Sequence, residues 1–175
     1  SLAMYTLLGS HDVERVKTML GGSSARVKLA SLLQFGYLGA PAVYYGDEIG
    51  LEGGKDPGCR GGFPWDEKYW DHDLRGWFQK LAQVRKSTAA LRRGDFQAVY
   101  ASDSQKIVAF ARRFAGETVI VAANASDTQR TALLPAGSEA TSAINLLTGE
   151  QYPVQQGQIS ITLPAWGGAW LQIQG

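Results

Sequence analysis

Residues 2–15 read LAMYTLLGSHDVER. The first seven, Leu2 to Leu8, form an almost unbroken apolar run without polar alternation, the pattern of a strand buried on both faces in a parallel sheet. Gly9 and Ser10 then open a loop carrying His11, Asp12, Glu14 and Arg15, which Gly21, Gly22 and Ser23 end. Ser23 or Ser24 can cap a helix that starts there. From Ala25 to Leu38, the positions Ala25, Leu29, Leu32, Leu33 and Gly36 recur at helical spacing, with Arg26, Lys28 and Gln34 mostly on the other side. Gly39 and Pro41 stop this amphipathic helix, and Ala42 to Tyr45 supply a second short strand of β-branched and aromatic residues. Strand, loop, helix, strand is a βαβ unit, whose crossover should be right-handed and whose strands should be parallel.

Outward from that unit the chain divides in two, with the break near Leu91 to Gly94. Before the break lies a long segment, Gly46 to Asp71, in which Gly, Pro and aromatic residues interleave without periodicity; loops of that length in compact domains are more often functional than incidental. A helix from about Asp73 to Lys86 comes next, its apolar stripe formed by Leu74, Trp77, Phe78, Leu81, Ala82 and Val84 or Arg85. After Gly94 the pattern becomes short alternating strands, at Phe96 to Tyr100, Lys106 to Phe114, Thr118 to Ala123, Thr131 to Leu134, Ala143 to Leu146, Ile159 to Leu163 and Ala169 to Ile173. Turn signals separate them, among them Asn124 to Asp127, Thr148 with Gly149, and Gln156 with Gly157. Seven or eight strands so spaced argue an antiparallel sandwich with Greek-key connections.

Composition narrows the partners. The 175 residues are 45% hydrophobic and 19% charged, which excludes disorder. The 17 Lys and Arg against 16 Asp and Glu leave a net charge of +1, so no broad basic face points to nucleic acid or an anionic membrane, and a neutral partner is allowed. One cysteine, Cys59, excludes an internal disulfide framework and a cysteine-only metal site. No apolar run approaches the roughly 20 residues that span a bilayer, and no basic n-region with a cleavage site opens the sequence; a soluble chain is expected. Glycine is in excess, 21 of 175, and crowds between Gly9 and Gly62, where unusual loops are needed.

Ligands of parallel α/β folds bind where loops leave the C-terminal strand ends. His11 and Asp12 follow the first strand, and Asp47, Glu48, Asp56 and Arg60 follow the second, so both loops should open on one end of the sheet. By themselves these residues also fit a turn-capping Asp12, a locally bonded His11, and an Arg60 held in a salt bridge with Asp56 or Asp66. No serine sits in a nucleophile-elbow setting and no phosphate loop is present.

The stretch LLGSHDVER, followed about thirty residues later by GAPAVYYGDEIGLEGGKDPGCRGGFPWDE, resembles the C-terminal third of the α-amylase family of glycoside hydrolases. The later segment is most similar to the branch of neopullulanases, cyclomaltodextrinases and maltogenic amylases. The resemblance covers essentially the whole chain. It implies that residues 1–92 are the end of a (β/α)8 catalytic barrel, an α/β remnant with strands seven and eight and their helices. Residues 93–175 are then the all-β Greek-key sandwich called domain C. It further implies that His11 and Asp12 hold hydroxyls of the sugar in subsite −1. Asp12 is then the family's third carboxylate, which favours the distorted, oxocarbenium-like sugar. Asp56 and Arg60, spaced as DPGCR, match a motif that binds glucose units further from the cleavage point. The implied partner is an α-glucan: maltooligosaccharide, cyclodextrin, pullulan or starch.

A retaining glycosidase needs two carboxylates about 5 Å apart, which in the family come from the fourth and fifth barrel strands. Nothing here precedes the seventh, so the expectation is a piece of a glycosidase that is inactive by itself. Asp47 and Glu48 follow the wrong strand for those roles and are expected to be structural. The family's usual calcium sites lie mostly upstream, so no metal and no cofactor is assigned to this chain; members of the branch are often intracellular, which leans the location to the cytoplasm. Two strands with open edges and uncovered apolar faces are expected to self-associate. Two other readings stand beside this one. The chain could be a non-catalytic carbohydrate-binding module that uses Trp65, Trp70, Trp77 or Trp166, or a purely structural module in which those tryptophans pack internally.

Overall fold

The computed structural model describes residues 4–175, so Leu2 and Ala3, at the head of the expected first strand, lie outside the described residues. Strand β1 (Tyr5–Leu7) runs parallel to β2 (Ala40–Ala42), with Tyr5 opposite Ala40 and Leu7 opposite Ala42. The second strand therefore lies two residues upstream of its expected place. Its pairing is fixed where the Ala40 N–H donates to Met4 O at 2.8 Å, and Val43 to Tyr45 leave the ladder, the two tyrosines to cover the buried Arg15. Nor is β1 buried on both faces: Tyr5 is 70% exposed and Leu7 is also exposed, because α2 covers only one side of the pair.

Between the strands come a one-turn helix, α1 (Val16–Met19), and α2 (Ser24–Gly36). Ser23 Oγ caps α2 by accepting from Arg26 N at 3.3 Å, as its position before the apolar stripe demands. Gln34 corrects the expected polar face. It is buried, and its Nε2 donates to Thr6 O at 3.0 Å and Ala42 O at 2.8 Å, so one helical amide satisfies a carbonyl from each strand. The helix ends at Gly36, two residues short of Leu38. Here a Cβ would stand 2.9 Å from Val121 Cγ2 and 3.2 Å from Trp170 Nε1, so glycine lets the helix seat directly on the second half of the molecule.

The long segment after β2 is organised by three single 3₁₀ turns, at Asp47–Ile49, Gly58–Arg60 and Glu67–Tyr69. It delivers the chain to α3 (His72–Ser87), capped by Asp71 accepting from Leu74 N at 2.9 Å. Leu74, Phe78, Leu81 and Arg85 are its buried stripe; Ala82, expected in that stripe, is exposed. A second short helix, α4 (Ala89–Arg93), extends the helical half beyond Lys86.

Eight antiparallel strands complete the chain: β3 (Gln97–Ser102), β4 (Ile107–Phe114), β5 (Glu117–Asn124), β6 (Arg130–Pro135), β7 (Ser142–Asn145), β8 (Gln151–Gln155), β9 (Gln158–Leu163) and β10 (Gly168–Gln174). Their order, β3-β4-β5-β10-β7-β8-β9-β6, gives a sandwich whose ladder continues from layer to layer through β8. The end strands β3 and β6 meet, which brings the sandwich close to a closed barrel. In β5, Val119 and Val121 pack with Phe110, Trp170 and the helices, while Ile120 and Ala122 pack inward with Ile107, Ile159 and Leu171. Alternate residues of one strand thus serve two cores, which is why its sequence shows a continuous apolar run.

Two buried arginines converge on the end of α2, and one of them, Arg112, joins the halves. Arg112 of β4 donates from Nη1 to Gly36 O at 2.6 Å and Tyr37 O at 2.8 Å, from Nε to Asp95 O at 2.7 Å, and from Nη2 to Gly94 O at 3.0 Å. Arg85 of α3 donates to the carbonyls of Phe35, Tyr37 and Gly39. Both cations sit at the C-terminal end of α2, where the helix leaves carbonyls unpaired and its dipole is negative. Among the described residues no helix is long and apolar enough to cross a membrane.

Candidate functional site

Because β1 and β2 are parallel, the loops that leave their C-terminal ends emerge side by side. They enclose a cleft of about 420 Å³, with Gly9 to Asp12 on one wall and Ala42 to Tyr45 on the other. His11 and Asp12 point outward, their side chains 66% and 72% exposed, with His11 Nε2 at 3.2 Å from Asp12 Oδ1. Asp12 N donates to Ser10 Oγ at 3.1 Å, which fixes the turn on which both stand.

Beneath this turn lies a buried strut that the sequence does not announce. Arg15 is 1% exposed; its Nη1 donates to Tyr45 O and lies 3.4 Å from Asp47 Oδ1. Its guanidinium carbon stands 4.1 Å from the Tyr44 ring centre and 4.5 Å from that of Tyr45. Burial raises the Asp47 carboxyl to about 6, against the opposing pull of Arg15 and with a small upward push from Glu48. Gly9 leaves room here for the Asp47 carboxylate, whose Oδ2 a Cβ would displace. Arg15 N also donates to Gly53 O at 2.9 Å, and Gly53 N to Thr18 Oγ1 at 2.9 Å. These contacts bind the loop after β1 to the loop after β2.

The Gly58–Arg60 turn is attached to the same place: buried Cys59 donates from Sγ to His11 O at 3.2 Å. That turn carries Arg60, with Asp56 just before it; the two are half exposed and paired at 2.6 Å, next to the cleft rather than lining it. Arg60 therefore pairs with Asp56 and not with Asp66, which instead pairs with Lys68. Tyr45 Oη donates to Gly61 O at 3.0 Å and holds the start of the next segment against the second wall. Arg15, Tyr45 and Cys59 are the contributors that residue patterns miss. Arg15 sits among polar loop residues and reads as solvated, the tyrosines read as strand, and a lone cysteine gives no sign of its partner.

Chemically, the exposed pair offers a carboxylate that accepts hydrogen bonds and an imidazole that can donate one, the complement of vicinal hydroxyls on a neutral ligand. A second free carboxylate is not placed across the cleft by the described residues, because Asp47 is buried against Arg15. Among those residues no cluster of three or more His, Cys, Asp or Glu could hold a metal ion. The tryptophans divide: Trp77 Nε1 donates to Lys28 O at 3.1 Å between α2 and α3, Trp166 lies under Arg26 at 4.4 Å, Trp70 is half-buried, and Trp65 is 84% exposed.

Residues 2–105 match the family described as alpha amylase, catalytic domain, and residues 96–170 match maltogenic amylase, C-terminal domain. The chain is 37% identical over 165 residues to a cyclomaltodextrinase of Geobacillus thermopakistaniensis, covering 94% of this chain and 28% of that protein. It is 37% identical over 166 residues to neopullulanase 2 of Thermoactinomyces vulgaris, with the same 94% and 28% coverage. A solved cyclomaltodextrinase structure superposes with a TM-score of 0.91 at 32% identity, over 99% of this chain and 30% of that one. The chain thus spans less than a third of the length of these relatives. Two parallel strands presenting His11 and Asp12, a sandwich behind them, and family matches that together take in residues 2–170 identify the chain as a member of the α-amylase family of glycoside hydrolases.

Proposed function

We propose that this chain forms one wall of an α-glucan cleft in a retaining glycosidase acting on α-1,4-linked maltooligosaccharides, cyclodextrins, pullulan or starch. Asp12 accepts hydrogen bonds from hydroxyls of the sugar in subsite −1 and stabilises that sugar as positive charge develops at its anomeric carbon; His11 donates to a neighbouring hydroxyl. Asp56 and Arg60 hold glucose units further along. The observation that carries this reading is the exposed His11–Asp12 pair at the mouth of a cleft between two parallel strand ends. Family membership and relatives named cyclomaltodextrinase and neopullulanase support the substrate class.

Asp12 acts here on charge and shape, not as nucleophile or proton donor, so the 175 residues by themselves do not hydrolyse glucan. The exposed Tyr5, Leu7, Val43 and Tyr45, which also line the cleft, make the open side of the strand pair a surface for self-association that bound glucan opposes. The test is reducing-sugar release from cyclodextrin, pullulan and maltotriose by the purified chain. None is expected; hydrolysis that Asp12→Asn abolishes would overturn the assignment.

A further inference from the structure

The segment that leaves the cleft ends in a feature the His11–Asp12 pair does not touch. Cys59 is held at His11 O and Gly61 at Tyr45 Oη, and four residues further on Trp65 stands 84% exposed, within about 14 Å of chain from Gly61. Its ring is not loose. Phe63 meets it edge to face with centroids 4.9 Å apart, and Phe63 in turn meets Trp70 at 5.7 Å. Trp70 Nε1 donates to Pro64 O at 2.6 Å, and the Arg75 guanidinium lies 4.8 Å from the Trp70 ring centre. Next to Trp65 in the chain stand Asp66, paired with Lys68 Nζ at 2.6 Å, and the exposed Glu67, which form a polar rim.

A large indole held in water on a packed aromatic base, beside a polar rim, suits a ligand with one apolar face and polar edges. A pyranose ring has that shape: its C–H groups lie against an aromatic face while its hydroxyls reach the rim. We propose that Trp65 is a stacking platform for a glucosyl unit of an α-glucan that extends out of the His11–Asp12 cleft. This rests on the reading of that cleft as a glucan site and adds to it an outer contact that longer chains reach.

The test is affinity electrophoresis of the whole 175-residue chain in native gels cast with amylose, with circular dichroism as a check on folding. Trp65→Ala is expected to reduce retardation about threefold to tenfold. Trp65→Phe is expected to keep most of it. Retardation of Trp65→Ala equal to the parent, with Asp12→Asn weakened, overturns the platform and leaves the cleft standing. A Trp65→Ala variant that changes only its state of association in light scattering overturns it in favour of a contact between copies. A parent chain that is not retarded overturns platform and cleft together.

Discussion

Replacing Arg112 by methionine is expected to cost about 3–5 kcal/mol, since four carbonyls lose their donor at roughly 1–3 kcal/mol each while removal of the desolvated cation offsets part of that loss. The guanidinium is fully buried and makes four hydrogen bonds of 2.6–3.0 Å to the carbonyls of Gly36, Tyr37, Gly94 and Asp95. Bonds from a charged donor contribute roughly 1.5–3 kcal/mol each, a gross sum near 6–12 kcal/mol, against which stands the several kcal/mol cost of burying the cation. Methionine fills the volume and removes the charge, but the end of α2 and the start of the sandwich are left with carbonyls facing one another. Lysine keeps the charge on a single nitrogen that cannot span both sets of carbonyls, so Arg112→Lys should lose nearly as much. Urea unfolding monitored by tryptophan fluorescence is suited to the measurement, because Trp170 lies against Gly36 at the same junction. A small domain has about 5–15 kcal/mol in total, so the midpoint should fall steeply. An Arg112→Met chain within about 1 kcal/mol of the parent would refute the idea that this side chain joins the two halves.

Three further expectations bear on the site and its support. Asp47 has a folded value of about 6 against 3.8 in the unfolded chain. It binds a proton more readily when folded, so its contribution to stability is complete below pH 3.8 and is lost as pH rises through 6. The stability difference between parent and Asp47→Asn should therefore move in favour of the variant by up to about 3 kcal/mol across that window; a pH-independent difference contradicts the desolvated placement. Gln34→Leu should lose about 2–4 kcal/mol in urea unfolding, because Thr6 O and Ala42 O lose their donor; an unchanged or raised midpoint contradicts it. Light scattering at micromolar concentration should show association through the open side of β1 and β2, and a monodisperse monomer would argue against it.

Particular residues show what the sequence made legible. The order strand, helix, strand and then many short strands follows from periodicity and punctuation, and the β5 run is readable as apolar although not as shared between two cores. The polar Gln34 misleads, because helical periodicity sorts residues by polarity and cannot foresee that a buried amide will answer two strand carbonyls. Pro41 reads as a terminator yet lies within β2 opposite Thr6, a short pairing in which its missing N–H is tolerated. Tyr44 and Tyr45 carry strand propensity but turn away to stack on Arg15, a contact made across about thirty residues of chain. His11 and Asp12 stand out only through family resemblance, since one His-Asp pair after a strand has many local uses. Cys59, Arg15 and Tyr45 act through backbone carbonyls and ring faces, and no spacing rule encodes such partners.

Whether His11 and Asp12 hold an α-glucan can be decided by titrating the isotopically labelled chain with maltohexaose and monitoring its backbone amides by NMR. Shifts are expected to concentrate at Ser10 to Asp12 and at Tyr44 and Tyr45, with binding weakened about tenfold in Asp12→Asn, the loss of one charge-assisted hydrogen bond. Shifts confined to other surfaces, or an affinity that Asp12→Asn leaves unchanged, would contradict a glucan held by this pair.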